Sequence, residues 1–458
     1  MTIADEFTRI SILYPDHTAI KSEKEGTLSY RELNSYADYI AALLHDKTGG
    51  TNDIVGICIN RSFLMIASIL GVLKAGKAYL PLDPSYPQER LEYMLNNSKV
   101  HDVLCSTETI DVLENLHNKI CADFYENSYE RLAINIDEQS LAYIQYTSGS
   151  TGVPNGVLIT HRSIMNTLKW RIGYYNLNQY DANIQIPSFS FASSVEDIFC
   201  TLLSGGTLVL LNAKDLLNPK LMKHLINKYS VTHLLMVPSL YREILRELGG
   251  VKTLRFVTVA GEALYRNLVY EHYRILPETI LYNEYGMTET SVACIVNKVK
   301  LGLNEIPIGK TIDNMQSMIL NQEDDGVGEL HITGKGLAKG YHNNEKSTKE
   351  RFVYIEDVRY FNTGDYVKES ADGNLIFIGR RDNQIKINGQ RVNLSEIDNI
   401  LQQDVNVYDS ITCCMNYSEK DIIVSFIQTD LDDNDYYYKL LQKALPKFYI
   451  PDHIKVQK

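Results

Sequence analysis

The sequence predicts an α/β protein with a large N-terminal domain of mixed, largely parallel sheets with helices and a small C-terminal α+β domain. Three observations support this prediction. Short runs rich in β-branched residues alternate with helical patterns, which is typical of βαβ units. A chain of 458 residues is too long for one ordinary core and should form two or more folded units. After about Asp365 the pattern changes to short strands, turn residues and a helix, so the predicted domains are 1–380 and 381–458.

The individual elements follow from these patterns. Strands of the large domain are predicted where β-branched residues cluster, in DIVGICI, GTLVLL, THLLMVP and LRFVTVAG. Helices are predicted in RSFLMIASILGVLKAG and PKLMKHLINKY. The small domain begins near Arg381, within GNLIFIGRRDNQIKINGQRVNLSEIDNIL. Open parallel sheets bind ligands at the carboxyl ends of their strands, so we expect the binding loops there.

The composition argues against several classes of protein. A net charge of -12 argues against nucleic acid as a partner, because phosphate backbones bind basic faces. The longest apolar run, from Phe63, is interrupted by Ser68 and Gly71 and falls short of the ~20 residues that cross a bilayer. We therefore expect a buried helix and no membrane partner. The N-terminus shows no secretory signal, which predicts a cytoplasmic protein, and the cysteine spacing predicts neither disulfides nor a zinc site.

A loop rich in hydroxyls and glycines stands out in the sequence YTSGSTGVPNG, from Tyr146 to Gly156. Glycines let backbone N–H groups approach an anion closely, and hydroxyls add further donors. The loop therefore predicts a phosphate site, although glycine-rich loops are also ordinary turns. The kinase and GTPase pattern G-x-x-x-x-G-K-[ST] does not fit it in any register. The residues expected to contact phosphate are Thr147, Ser148, Gly149, Ser150, Thr151 and Gly152.

Seven separate segments occur in the order found in the amino-acid adenylation domains of nonribosomal peptide synthetases. They are LSYRELN, LKAGKAYLPLDPSYPQERL, YTSGSTGVPNGVLITH, NEYGMTET, GELHITGKGLAKGY, FNTGDY and GRRDNQIKINGQRVNLSEID. The chain resembles this family over nearly its whole length. The resemblance implies an acyl-adenylate-forming ligase: a carboxylate attacks the α-phosphate of Mg-ATP, pyrophosphate leaves, and the acyl group passes to the phosphopantetheine thiol of a carrier protein.

The same resemblance assigns roles to individual residues. For the nucleotide it implies Asn283 beside the purine amine, Tyr285 stacked on adenine, Asp365 on the ribose hydroxyls, Arg380 beside the sugar and phosphate, Thr288 facing the α-phosphate and Glu289 as the magnesium ligand. It adds Gly261, Glu262, Ala263, Gly286 and Met287 to the AMP site. Lys386 matches a lysine of the small domain that belongs to the catalytic set, and Asp382 matches the hinge about which that domain moves between the two half-reactions.

The chain departs from the family pattern at several positions. Asn155 replaces a lysine of the phosphate loop, and Asn388 stands where arginine is common. The family's Asn-Gly-Lys segment, whose lysine contacts the substrate carboxylate and the α-phosphate, is absent from this sequence. Lys455 and Lys458 are better interpreted as a basic tail than as substitutes for that lysine. Ala192 replaces the aspartate that holds the α-ammonium group of the amino acid.

The positions that form the family's acyl pocket predict an unusual substrate. They are Phe191, Ala192, Ser193, Glu196, Met236, Thr258, Ala260, Glu284, Val292 and Ala293. If SSVEDIF is helical, Glu196 lies about one turn, ~5.4 Å, from Ala192. A buried carboxylate requires a partner, which a β-amine or a basic side chain of the substrate would supply.

Several alternatives remain at this point. Glu196 can instead face solvent or pair within the protein, in which case a keto, hydroxy or aryl acid is the substrate. The chain can also be a stand-alone ligase that charges a separate carrier protein, as in D-alanine loading. A degenerate nucleotide-binding module with little turnover is the third alternative, and pyrophosphate exchange distinguishes it.

Overall fold

The structure is a computed structural model of the 458-residue chain. It describes residues 1–48, 53–113, 118–123, 132, 134–147, 154–212, 214–303, 305–380, 384–387, 390–404, 406–417 and 420–457. The helices are α1 (Ile3–Leu13), α2 (Tyr30–Thr48), α3 (Phe63–Lys74), α4 (Gln88–Ser98), α5 (His161–Tyr174), α6 (Ser193–Leu203), α7 (Pro219–Lys228), α8 (Pro238–Leu245), α9 (Arg266–Ile275), α10 (Glu345–Arg351), α11 (Leu394–Gln402) and α12 (Asn434–Ala444).

The strands are numbered in the same way along the chain. They are β1 (Thr18–Ser22), β2 (Gly26–Ser29), β3 (Ile54–Cys58), β4 (Ala78–Pro81), β5 (Asp102–Cys105), β6 (Asn118–Cys121), β7 (Leu141–Thr147), β8 (Asn155–Thr160), β9 (Ala182–Gln185), β10 (Thr207–Leu210), β11 (His233–Met236), β12 (Phe256–Ala260), β13 (Ile280–Met287), β14 (Val292–Lys298), β15 (Lys310–Thr311), β16 (Met315–Leu320), β17 (Gly328–Gly334), β18 (Gly340–Tyr341), β19 (Phe352–Ile355), β20 (Val358–Glu369), β21 (Leu375–Arg380), β22 (Gln384–Ile387), β23 (Gln390–Asn393), β24 (Asp409–Tyr417), β25 (Lys420–Gln428) and β26 (His453–Gln457).

Two large sheets are mainly parallel in their centres. The first has the order β18-β8-β7-β4-β3-β5-β6, with parallel pairing from β7 to β6. The second has the order β15-β14-β13-β12-β11-β9-β10-β1-β2, with parallel pairing from β13 to β1. Antiparallel strands flank each parallel centre. The α/β prediction, with helices between largely parallel strands, is confirmed.

A third sheet is antiparallel and runs β16-β17-β20-β19, with β21 paired to β20. The register of β20 and β21 places Asp365 opposite Arg380. Two residues that the sequence assigned to one nucleotide site, 15 positions apart in the chain, therefore lie side by side on neighbouring strands.

The C-terminal segment, residues 384–457, contains a small hairpin of β22 and β23 and a sheet of β24, β25 and β26. Helices α11 and α12 pack with this sheet around a separate hydrophobic cluster whose buried members all lie between Val392 and Ile454. The segment has α+β character, as expected. Lys455 lies on the exposed side of β26, so it belongs to a sheet and not to a tail, and Lys458 lies outside the described residues.

Local sequence explains the helices that matter for the site. The apolar run from Phe63 forms α3, whose residues are all buried, as predicted. Helix α5 begins with a capping box in which the Thr160 and Ser163 side chains each accept a backbone N–H. Helix α6 covers the predicted helical run, but its N-cap is Ala192, which makes no side-chain cap. None of the helices in the described part of the chain is long and apolar enough to cross a membrane.

Candidate active site

One cavity of about 330 Å³ lies where the carboxyl ends of several strands meet. Strand β7 ends there at Thr147, β11 at Met236, β12 at Ala260 and β13 at Met287. The start of α6 forms another part of the lining. The expectation that ligand-binding loops follow the carboxyl ends of the parallel strands therefore agrees with where the cavity lies.

The phosphate loop is described only at its two ends. Thr147, the last residue of β7, lines the cavity and pairs in register with Asn155 on β8. The side-chain oxygen of Asn155 accepts a hydrogen bond from the side chain of Asn344 (2.9 Å), the N-cap residue of α10. The predicted residues Ser148, Gly149, Ser150, Thr151 and Gly152 lie outside the described residues.

Tyr285, Asp365 and Arg380 form a buried cluster beside the cavity. The Tyr285 hydroxyl donates to Asp365 Oδ2, and Arg380 Nη1 lies 2.6 Å from Asp365 Oδ1. Thr363 binds both members of this ion pair: its hydroxyl accepts a hydrogen bond from the N–H of Asp365 (3.0 Å), and its carbonyl accepts one from the Arg380 side chain (3.2 Å). Burial, and then the Asp365 carboxylate, raise the pKa of Tyr285. The three residues that the sequence grouped around a nucleotide do contact one another.

Two side chains of the NEYGMTET segment that could offer oxygen ligands to a metal, those of Thr288 and Glu289, line the same cavity. Thr288 and Glu289 lie on a short 3-10 turn that directly follows β13. Glu289 is buried, and its Oε1 accepts a hydrogen bond from the Tyr341 hydroxyl (2.8 Å). A carboxylate next to a hydroxyl is a donor set that suits a hard cation such as Mg²⁺, which otherwise takes its oxygens from phosphates and water. The residues present therefore fit the metal that the family resemblance implies.

The backbone beside this turn is strained. Ser291 and Val292 have φ angles of 54° and 77°, and a positive φ is rare for a β-branched residue. Gly286 faces the same turn, and a Cβ there would lie 1.7 Å from the Val292 carbonyl oxygen. Glycine is therefore required at Gly286, and the tight turn brings Val292 and Ala293 to the cavity wall.

Other residues predicted for the AMP site are placed differently. Gly261 lines the cavity with a φ of 88°, whereas Ala263 is exposed. The Glu262 carboxylate accepts the N–H (2.9 Å) and the hydroxyl (3.0 Å) of Ser239 at the start of α8. The Asn283 side chain donates to the Pro307 carbonyl (3.0 Å). Glu262 and Asn283 thus make contacts within the protein, and their predicted roles, Glu262 in the AMP site and Asn283 beside the purine amine, remain predictions.

Most of the predicted acyl-pocket residues line the cavity: Phe191, Ala192, Ser193, Glu196, Met236, Ala260, Glu284, Val292 and Ala293. Thr258, the remaining predicted residue, is fully buried and is not among the residues that line this cavity, so its role in the pocket stays a prediction. Its hydroxyl accepts a hydrogen bond from Arg171 Nη2 (3.4 Å). Side chains two positions apart on a strand share one face, so Thr258 lies on the same side of β12 as Ala260 but about 6.6 Å further from the end of the strand, beside Arg171.

A charged cluster made of Arg171, Glu196 and Glu284 lies at the acyl side of the cavity. All three side chains are at most 3% exposed. Arg171 Nη1 donates to Glu284 Oε1, and the same oxygen accepts a bond from the Tyr175 hydroxyl (2.5 Å). Glu196 is held more loosely: Arg171 Nη1 lies 3.7 Å from its Oε2, and the Ala293 N–H donates to its Oε1 (3.3 Å). One cation is thus shared unequally by two carboxylates.

Burial dominates the electrostatics of this cluster. It raises the pKa of Glu196 to about 8, against the lowering effect of Arg171 and with a smaller contribution from Glu284. Burial disfavours the charged form of Arg171, but Glu284 and Glu196 more than offset it and raise its pKa. The guanidinium therefore stays charged, and Glu196 is the group whose charge is least compensated.

Arg171 was not identified from the sequence, although a signal for it exists. It lies on α5 in line with Ile164 and Leu168, at the spacing that marks the buried stripe of a helix, and Tyr175 follows four residues later. An arginine within a buried stripe requires a carboxylate partner. Of the alternatives left open for Glu196, the structure shows a carboxylate that is buried, not turned to solvent, and that has an internal cation nearby.

The C-terminal segment completes the cavity. Phe448 and Tyr449 line it, and Phe448 packs edge-on against Phe191 at a ring-centroid distance of 5.9 Å. Arg90 on α4 donates to Glu396 on α11 (3.0 Å), and both side chains are buried. Burial raises the pKa of Glu396, and Arg90 opposes that shift. Lys386 lies on β22, while the predicted hinge residue Asp382 and Asn388 lie outside the described residues.

Comparison with known proteins agrees with these features. A family model described as "AMP-binding enzyme" matches residues 9–342. Bacitracin synthase 3 of Bacillus licheniformis is 41% identical over 404 residues, which are 84% of this chain and 6% of that protein. Gramicidin S synthase 2 of Aneurinibacillus migulanus is 34% identical over 471 residues, 96% of this chain and 10% of that protein. The chain thus spans at most 10% of the length of either relative.

A solved structure gives the same result for the fold. A nonribosomal peptide synthetase protein containing adenylation and PCP domains, bound to a vinylsulfonamide inhibitor, superposes with a TM-score of 0.90 at 25% identity. The superposition covers 100% of this chain and 81% of that one. Together with the family match, this likeness leads to one conclusion: the chain belongs to the AMP-binding enzymes and is an adenylation domain of the nonribosomal peptide synthetase type.

Proposed function

We propose that this chain activates a carboxylic acid with ATP and then transfers it to a carrier protein. In the first step a carboxylate oxygen bonds to the α-phosphorus of ATP, and the bond to the bridging oxygen of pyrophosphate breaks. In the second step the phosphopantetheine thiol attacks the acyl-AMP carbonyl, gives up its proton, and AMP leaves. One observation carries the proposal: oxygen donors suited to phosphate and metal line the same cavity as the acyl-pocket residues.

We assign the nucleotide to the side of the cavity that Thr147, Thr288 and Tyr285 line. Hydrogen-bond donors fixed around a phosphate stabilise the charge that develops on departing pyrophosphate. Asp365 is held by Tyr285 and Arg380, so its carboxylate is oriented in advance for the ribose hydroxyls. Glu289 and Thr288 would hold Mg²⁺, which offsets phosphate charge when bound.

We assign the carrier-dependent step to a mobile small domain, residues 381–458. The separate hydrophobic cluster of the C-terminal segment supports this assignment, because a unit with its own core can move as one body. The relatives support the partner: the solved protein with a TM-score of 0.90 contains a PCP domain in addition to its adenylation domain. Lys386 and the hinge at Asp382 keep the roles that the family resemblance implies.

We propose further that the substrate carries an amine or guanidinium away from the usual α position, as β-amino and basic acids do. Ala192 offers no carboxylate for an α-ammonium group, whereas Glu196 and Glu284 both line the acyl side of the cavity. These two carboxylates share a single arginine, and burial of an uncompensated charge is unfavourable. A cationic group of the substrate would restore the balance of charge.

The experiment is ATP–pyrophosphate exchange with matched pairs of acids. Ornithine and norleucine differ by an ammonium group in place of a methyl group at the end of the side chain. β-Alanine and butyrate differ in the same way. We expect exchange to be faster with the cationic member of at least one pair. The absence of exchange with every acid would contradict the proposed activity and favour a degenerate nucleotide-binding module.

A further inference from the structure

We propose that Arg171 is a positioning residue that determines substrate specificity: by neutralising Glu284 it leaves the carboxylate of Glu196 to bind a cation of the substrate. This inference rests on the proposed function and deepens it. Arg171 lies behind the cavity wall and acts through the two glutamates, both of which face the cavity.

The Arg171 guanidinium is shared unequally between the two glutamates. Arg171 makes its direct bond to Glu284, and the Tyr175 hydroxyl reinforces the same carboxylate oxygen at 2.5 Å. The contact from Arg171 to Glu196, at 3.7 Å, is longer than a hydrogen bond. The Arg171 guanidinium also lies over the Tyr175 ring at 4.9 Å, which fixes its position.

The charged cluster beside the cavity contains one arginine, Arg171, and two glutamates, Glu196 and Glu284. Asp197, the next residue on α6, does not compete for Arg171, because its carboxylate accepts from Asn183 (3.0 Å) and from the Ile186 N–H (3.2 Å). Among the described residues, Glu196 is therefore the carboxyl group at the cavity without a close cation; burial keeps it protonated while the cavity is empty, and a cation of the substrate would favour its ionised form.

The carboxyl oxygens of Glu284 and Glu196 at the cavity wall have unused capacity to accept hydrogen bonds. Within the described part of the chain, Glu284 Oε2 has no hydrogen-bond partner although it is buried. From the residues that the structure describes, Glu196 accepts one long hydrogen bond, donated by the Ala293 N–H (3.3 Å). An ammonium group between the two carboxylates would meet oxygens with free acceptor capacity on both sides. The arrangement favours a compact, strongly bonded cation in the substrate.

The inference predicts that Glu284→Gln abolishes the preference for a cationic acid and that a second substitution, Arg171→Met, restores it. In the single variant Arg171 is released to pair with Glu196, so the cluster becomes neutral. In the double variant Glu196 again has no cation. We expect the kcat/KM ratio of ornithine to norleucine, or of β-alanine to butyrate, to fall about tenfold and then to recover to within about threefold.

A matched control uses another arginine that touches Tyr175. Arg255 donates to the Tyr175 carbonyl (3.1 Å) and pairs with Asp181 (3.2 Å), away from the two glutamates. Adding Arg255→Met to Glu284→Gln should not restore the preference. Arg171→Lys in the wild-type background should keep it, because a cation remains beside Glu284.

Calorimetric binding of the same acids provides a readout that does not need turnover. The inference is overturned if Glu284→Gln keeps the wild-type ratio, or if the Arg171→Met double variant stays at the ratio of the single variant. Binding with the expected pattern but without pyrophosphate exchange would support the inference and contradict the proposed activity. A wild-type protein that binds the neutral acids as well as the cationic ones would overturn the inference and the proposed substrate class together.

Discussion

The nucleotide side and the acyl side of the same cavity differ in how their charges are balanced. On the nucleotide side, Asp365 has a cation at 2.6 Å and a tyrosine hydroxyl, so its charge is matched within the protein. On the acyl side, Glu196 has its nearest cation at 3.7 Å, and that cation is bonded to another carboxylate. We infer from this difference that a matched set of charges suits a substrate common to the family, whereas the unmatched set on the acyl side would select a particular acid.

The largest expected effect is on the nucleotide side, where Asp365 is paired with Arg380 and Tyr285. Asp365→Ala removes a carboxylate that pairs with Arg380 and accepts from Tyr285, so a half-buried cation loses its ion pair with Asp365. We expect ATP affinity to weaken about 100-fold or more, as measured by isothermal titration calorimetry. Asp372→Ala is the matched control, because this aspartate is exposed on the turn after β20 and should leave ATP affinity unchanged. Equal ATP affinity in wild type and Asp365→Ala would refute the ribose assignment.

The next largest effect concerns the acyl side, where Arg171 lies 3.7 Å from Glu196. Glu196→Gln removes the carboxylate that lacks a close cation while leaving the Arg171–Glu284 pair intact. The preference for a cationic over a matched neutral acid should fall about tenfold, the size expected of a hydrogen bond to a charged group. Pyrophosphate exchange with ornithine and norleucine measures it. If the preference persists in this variant, the cation of the substrate binds elsewhere.

The nucleotide side was predictable from the sequence because its residues lie in short contiguous motifs. Tyr285 and Glu289 come from one eight-residue segment, and Asp365 and Arg380 follow from two others. The helical run containing Glu196 was also predictable from its period. The charged cluster was not, because Arg171, Glu196 and Glu284 come from α5, α6 and β13, which only the packed fold brings together.

The contact that Thr258 makes could not be predicted from the sequence for a related reason. Thr258 and Ala260 share one face of β12, and only the packing of Arg171 against that face distinguishes the buried position from the one at the cavity. The sequence did predict the departure at Ala192 correctly as a loss of charge. It did not show that the same residue is the N-cap of α6, where it also leaves a helix terminus without a side-chain acceptor.

A substitution that restores the family's carboxylate at position 192 should change the selectivity in the opposite direction. Ala192→Asp supplies the carboxylate that the family uses for an α-ammonium group. We expect exchange with neutral α-amino acids such as norleucine to rise about threefold. Ala192→Asn, which has nearly the same shape without the charge, should leave norleucine exchange unchanged. A fall in norleucine exchange would contradict the assigned geometry.

The smallest effect is on the pH dependence of stability. The pKa of Glu196 is raised by burial to about 8, so the folded protein keeps this proton where the unfolded chain has released it. Stability from this group is greatest below the ordinary glutamate pKa and is lost as the pH rises toward 8. Burial also raises the pKa of Asp197, to about 7. This residue, like Arg171 and Glu284, is the same in wild type and in Glu196→Gln, so it contributes equally to both. Thermal unfolding from pH 5 to pH 8 should therefore decline less in Glu196→Gln than in wild type; equal slopes would contradict a protonated Glu196.

The most direct test of the central claim is pyrophosphate exchange by the unaltered protein with ornithine against norleucine and β-alanine against butyrate. An acyl side on which the nearest described cation lies 3.7 Å from Glu196 and is bonded to Glu284 predicts a kcat/KM about tenfold or more higher for the cationic member of at least one pair. Equal rates within both pairs, or strong selection for a neutral α-amino acid such as leucine or phenylalanine, would contradict it.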